Sequence, residues 1–143
     1  SIGSGNSSEV IMTGEGALVT SREQLLAAKG EKATAKLDYT NSTLTTGSAV
    51  IASGNNASAE LKLEQSSFSS GGAMDIGQGT GTTTTLALNN KSQVNAQGAM
   101  SGAKGEGTKA NVDMSGESAL SAGSLSIGEG KASESTLHGT DTT

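Results

Sequence analysis

A glycine that returns about every 25 residues, an apolar residue seven places after each such glycine, and alternation of period two around that residue predict an all-β fold. The expected architecture is a right-handed, three-sided parallel β-helix of between five and six coils, forming one domain over residues 1–143. The glycines are Gly5, Gly30, Gly54, Gly79, Gly105 and Gly130, at steps of 25, 24, 25, 26 and 25. The apolar residues are Met12, Leu37, Leu61, Leu86, Val112 and Leu137, and the spacing of seven holds in all six copies. The stretches "SIGSGNSSEVIM" (1–12) and "SIGEGKASESTL" (126–137) are thus one strand and one corner, met again five coils later.

The first strand of each coil is built around that apolar column. Two places before it stand Val10, Ala35, Ala59, Thr84, Ala110 and Ser135; two places after it stand Gly14, Tyr39, Leu63, Leu88, Met114 and Gly139. Polar residues lie between, as in Lys36 and Asp38 or Glu60 and Lys62, so one face points inward and the other to water. On that outward face Lys36 is expected to pair with Glu60, and Asp38 with Lys62, across neighbouring coils. A second strand carries a small residue and then a large one: Gly16 and Leu18, Ser42 and Leu44, Ser66 and Phe68, Ser92 and Val94, Ser118 and Leu120. A third carries Leu25, Val50, Met74, Met100 and Leu125, followed two places on by Ala27, Ala52, Ile76, Gly102 and Ile127. The right hand follows from the preferred sense of parallel crossovers.

One segment competes with this pattern. "TSREQLLAAKGEKATAKL" (20–37) holds good helix formers, and Ser21 with Gln24 resembles a capping box. Because Leu25, Ala27, Gly30, Ala35 and Leu37 all fall in the repeat columns, residues 20–36 are expected to follow the coil, with a helical first coil as the alternative.

Composition fits a narrow solenoid. The 143 residues include 21 Gly but no Pro, Cys or Trp, and only one Tyr and one Phe. Few aromatics means that the interior must be filled by stacked small and aliphatic side chains. A single coil buries too little to stand alone, so neighbouring coils must supply the rest, and the chain reads as a section of a longer array. The net charge of −5 and the lack of a basic cluster argue against nucleic acid as a partner. The longest apolar runs have four residues, Leu25 to Ala28 and Ala49 to Ala52, too few for a membrane-spanning helix.

No catalytic, cofactor-binding or metal-ligating residue is assigned, and no cofactor is expected. His138 stands alone in an outward column one coil beyond Asp113, without the spacing of a Ser-His-Asp relay. Glycosidases on β-helices carry paired acids on long loops, whereas coil length here varies by one residue either way. "GGAMDIGQG" (71–79) is similar to a calcium-binding nonapeptide but does not recur every nine residues. "TGTTTT" (80–85) could begin the threonine plane of an ice-binding solenoid, yet other coils carry Ala57 to Glu60 or Thr108 to Asn111 there.

The units "GSAVIASGNNASAELKLEQSSF" (47–68), "GAMDIGQGTGTTTTLALNNKSQV" (72–94) and "GSLSIGEGKASESTL" (123–137) resemble repeats of solenoid passenger domains in bacterial adhesins, of the pertactin-like autotransporter and filamentous-haemagglutinin type. The resemblance lies in repeat style and covers nearly the whole chain. It implies a stalk or adhesive surface outside a bacterium, without catalysis. The partners implied are a host or bacterial surface glycan or protein, self-association, and further coils of the same polypeptide. A phage tail fibre or tailspike segment, on a virion, is the alternative; an ice-binding solenoid is a lesser one.

Overall fold

The computed structural model describes residues 2–143; Ser1, the first residue of the first repeat, lies outside the described residues. The chain consists of β1 (Ile2–Ser4), β2 (Glu9–Glu15), β3 (Leu18–Lys29), β4 (Thr34–Thr40), β5 (Thr43–Ser53), β6 (Ser58–Glu64), β7 (Ser67–Ser70), β8 (Met74–Gln78), β9 (Thr83–Asn89), β10 (Gln93–Lys104), β11 (Lys109–Ser115), β12 (Ala119–Glu129) and β13 (Glu134–Thr140). All pairing is parallel, between strands about 25 residues apart, and gives a β-solenoid of about five turns. One sheet runs β2-β4-β6-β9-β11-β13; the other contains β1, β3, β5, β7, β8, β10 and β12.

The apolar column of the first strand stacks as expected. Met12 pairs with Leu37, Leu37 with Leu61, Leu61 with Leu86, Leu86 with Val112, and Val112 with Leu137. Leu37, Leu61 and Leu86 are fully buried between neighbours, whereas Leu137 in the last coil is 60% exposed. The columns before and after it, from Val10 to Ser135 and from Gly14 to Gly139, hold their register too.

Three features refine the sequence-based expectation. The second and third strands of a coil are separate in β7 and β8 but run on as one strand in β3, β5, β10 and β12, so two of the expected sides share one sheet. The reason lies in the corners. Left-handed residues occur on entry to the larger sheet (Gly16 φ 61, Asn41 φ 49, Gln65 φ 49) and on leaving it (Ala28 φ 50, Ala52 φ 57, Gly77 φ 81), but none occurs between its two halves among the described residues. There the larger sheet shifts register, between Ser21 and Gln24 and between Ala96 and Ala99, and is interrupted between β7 and β8. Second, Gly16 is itself a corner residue, so the inward positions of the first coil are Ala17 and Val19. Val19 stacks on Leu44, and Leu18 points outward, 78% exposed. Third, "SAVIAS" is apolar in either register. Pairing with Leu25 and Met74 selects Ala49 and Ile51 for the inward columns and leaves Val50 only partly buried, while Ala52 is buried at the left-handed corner that follows. Residues 20–29 are β-strand, in line with the columns and against the helical alternative.

The recurring glycine has a steric cause. At Gly30, Gly54, Gly79, Gly105 and Gly130 φ lies between 119° and 144°, a region closed to other residues. An added Cβ at any of these five would fall 2.1–2.5 Å from the carbonyl oxygen of the equivalent glycine one coil earlier. Backbone stacks directly on backbone at this corner.

The small residue of the second strand forms a buried hydroxyl ladder. The N–H of Ala17 donates to Ser42 Oγ (3.0 Å), that of Ser42 to Ser66 Oγ (3.0 Å), that of Ser66 to Ser92 Oγ (3.3 Å), and that of Ser92 to Ser118 Oγ (3.2 Å). Each hydroxyl also donates to a carbonyl, as Ser92 Oγ does to Leu63 O at 2.9 Å. Corner N–H groups, which the strand ladders miss, are thereby satisfied inside the solenoid. Ser92→Ala would strand the Ser66 N–H and is expected to cost about 1–3 kcal/mol, read as a lower denaturation midpoint with an unchanged slope.

Thr84 stands where neighbouring coils have Ala59 and Ala110, and its hydroxyl donates to Ile76 O at 2.9 Å. The corner residue facing it has shrunk to match: a Cβ on Gly77 would lie 2.2 Å from Thr84 Oγ1, where other coils have Ala28 and Ala52. At the first coil Gly14 leaves space for the buried ring of Tyr39, whose Cδ1 would be 2.8 Å from a Cβ there. Burial raises the phenol pKa of Tyr39 above 10.0. The folded pKa exceeds the unfolded one, so the stabilising contribution is present below about pH 10 and is lost as pH rises through the folded value. Alkaline titration should show the phenolate signal of Tyr39 appearing together with loss of the β-sheet circular-dichroism signal.

Candidate functional surface

Coil length stays within a residue of 25 because each corner is a short turn, and among the described residues no loop leaves the solenoid to wall a cleft. An open depression of about 650 Å³ follows the corner lined by Gln65, Asn90, Lys91, Gly116, Glu117 and Asp141. Lys91 and Glu117 meet across it at 3.5 Å with both side chains largely in water, and Asn90 Nδ2 donates to Glu64 Oε1 at 3.2 Å. Among the described residues no group of three or more His, Asp or Glu side chains is placed to hold a metal ion.

The residues weighed for chemistry are placed as follows. His138 Nδ1 lies 3.7 Å from Asp113 Oδ1 on neighbouring strands, and both side chains are more than half exposed. In "GGAMDIGQG", Asp75 accepts hydrogen bonds from Gln78 Nε2 (2.6 Å) and from Ser101 Oγ, so its carboxylate is engaged by the fold's own donors. In "TGTTTT", Thr82 and Thr84 are buried while Thr83 and Thr85 alternate outward, which divides the run between two faces.

The two flanks of the solenoid differ in charge. On the smaller sheet the outward rows include Lys36, Asp38, Glu60, Lys62, Lys109, Asp113, Glu134 and His138. Ion pairs join Lys36 to Glu60 at 3.7 Å and Lys109 to Glu134 at 3.3 Å, all largely exposed. Asp38 and Lys62 are register partners, but no ion pair closes between them. Exposed pairs of this kind contribute at most about 1 kcal/mol. Lys62→Glu is therefore expected to shift the melting temperature by less than about 4 °C, and a fall beyond about 10 °C would mean that this flank is covered.

The first half of the larger sheet is different. Its outward rows are Leu18, Thr43, Ser67, Gln93 and Ala119, and beside them Thr20, Thr45, Ser69, Asn95 and Ser121. None of these ten residues is charged. Thr43 and Ser67 share one hydrogen bond at 3.5 Å; the side chains of Thr20, Thr45, Ser69, Gln93, Asn95 and Ser121 make none to the described residues. Sequence reasoning missed this face, although the charge-free column was legible as soon as the second strand was in register.

The C-terminal end of the solenoid presents Leu125 and Leu137, 45% and 60% exposed, around a hollow completed by Met114, Leu120, Gly139, Thr142 and Thr143. Their columns have apolar neighbours on one side only.

No known protein family matches the chain, and no solved structure matches it. Over 72 residues, half of its length, it is 44% identical to the uncharacterized protein YuaO of Escherichia coli strain K12, and the matched part is 4% of that protein.

Proposed function

We propose that the chain is a structural and adhesive section of a bacterial surface solenoid, displayed outside the cell, which binds through an extended flank and catalyses no reaction. The observation that carries this reading is the unbroken run of loop-free coils, whose large accessible features are flat flanks rather than a pocket. Two others support it. The repeats resemble adhesin passenger domains. The similar segment in a bacterial protein is a small fraction of a far longer polypeptide.

The test has two arms. Beads coated with the purified chain should attach to bacterial or host-cell surfaces, and antibody raised against it should label intact bacteria that make its parent protein. Screens for hydrolase and lyase turnover on bacterial polysaccharides should stay blank. Sustained turnover abolished by a single acidic substitution would overturn the reading, as would absence of both attachment and surface labelling.

A further inference from the structure

We infer that the uncharged half of the larger sheet is the face that takes a partner, and that the partner is a neutral polysaccharide lying along successive coils. This rests on the adhesive reading above. Thr43, Thr45, Ser67, Ser69, Gln93 and Asn95 form two adjacent rows across three coils, all accessible and without a charge among them. Apart from the Thr43–Ser67 bond, their hydroxyls and amides make no hydrogen bond to the described residues, so a ligand can engage them without breaking any bond in the protein.

The chemistry of the rows selects the ligand class. Hydroxyl and amide groups both donate and accept, as sugar hydroxyls do. Bringing them out of water costs far less than bringing out the lysines and carboxylates of the opposite flank. An anionic polymer or nucleic acid needs cations that these rows lack. Successive coils are about 4.8 Å apart, close to the rise of one sugar unit in an extended glycan, so each unit can meet an equivalent pair of side chains. Tyr39 and Phe68, the only Tyr and Phe of the chain, are both buried and cannot stack on a sugar ring. Each unit is therefore held weakly, and affinity must accumulate over polymer length.

The probes are insoluble cellulose, β-1,3-glucan and starch, with polygalacturonate as the charged comparison, each mixed with the full chain and sedimented. At least one neutral glucan should retain the protein, with little change between low and moderate salt, and its long chains should compete far better than its short oligomers. Thr45→Lys with Asn95→Lys should reduce retention about tenfold or more while leaving the circular-dichroism spectrum and melting temperature near those of the parent. Lys62→Glu, on the other flank, should leave retention unchanged. The inference is overturned if the double variant binds as well as the parent, if the polyanion is preferred, if no neutral glucan is retained, or if the face serves only to join copies of the chain. Should coated beads attach to cells while every neutral glucan fails, the adhesive reading stands and this one falls.

Discussion

Leu86→Asp is expected to unfold the chain. Leu86 is 1% exposed and sits between Leu61 and Val112 in the middle of the inward ladder. Removing such a side chain alone costs about 2–5 kcal/mol. The carboxylate adds its own desolvation, and no cation lies in the inward columns to pair with it. Because each coil is held mainly by its two neighbours, failure at the centre leaves two short stacks, neither of which buries enough to persist. Asn89→Asp, three residues on, is the matched control. Its side chain is partly exposed and accepts from Ser115 Oγ at 2.9 Å, a role that a carboxylate can fill. The change should cost a few tenths of a kcal/mol, chiefly from facing Glu64 on the neighbouring strand. Thermal unfolding followed by circular dichroism checks both, and equal effects would refute the inward and outward assignments.

Gly54→Ala carries the second largest expected effect although it adds only a methyl group. The Cβ would stand 2.1 Å from the Gly30 carbonyl oxygen and 2.5 Å from its carbon, and both are backbone atoms that no side-chain rotation can move away. The residue is also held at φ 142, where an L side chain is strained before any contact is considered. Relief requires the coils to part, which breaks the ladder hydrogen bonds around the corner. A loss of about 4 kcal/mol or more is expected, and a fall in melting temperature beyond about 10 °C. Gly16→Ala separates the two causes. Gly16 is left-handed at φ 61, but an added methyl group there would meet no atom within 4 Å, so only the conformational cost of about 1–2 kcal/mol remains. If the two variants melted together, close backbone stacking would not be what keeps glycine at position 54.

Legibility in the sequence follows how many physical constraints meet at a position. The glycine corner and the column from Met12 to Leu137 combine a steric requirement with a burial requirement, and both are readable at fixed spacing. Val50 looks inward from the sequence because "SAVIAS" satisfies burial in both registers, and only the neighbouring strand decides for Ala49 and Ile51. Leu18 looks inward because a left-handed corner at Gly16 leaves no hydrophobic signature. The serines at 42, 66, 92 and 118 are recognisable as small, but their hydrogen bonds run between coils, which no local pattern reveals. The charge-free flank escapes notice for a related reason, since a surface exists only after strands far apart in sequence lie side by side.

The entry corner of the larger sheet varies in length: Asn41 and Gln65 turn it alone, whereas Asn90 with Lys91 and Gly116 with Glu117 turn it as left-handed pairs. Despite the added residue, Phe68, Val94 and Leu120 still stack in register beyond it. This corner therefore works as an expansion joint that absorbs insertions before they reach the sheets. A peptide tag placed between Asn90 and Lys91 should project into water and leave both sheets in phase, whereas a single residue added within β9 would turn every later side chain of that strand to the opposite face. Repeats of unequal length can thus be joined end to end without any accumulated drift, and a solenoid of this kind can lengthen and diversify at one seam while its interior stays unchanged.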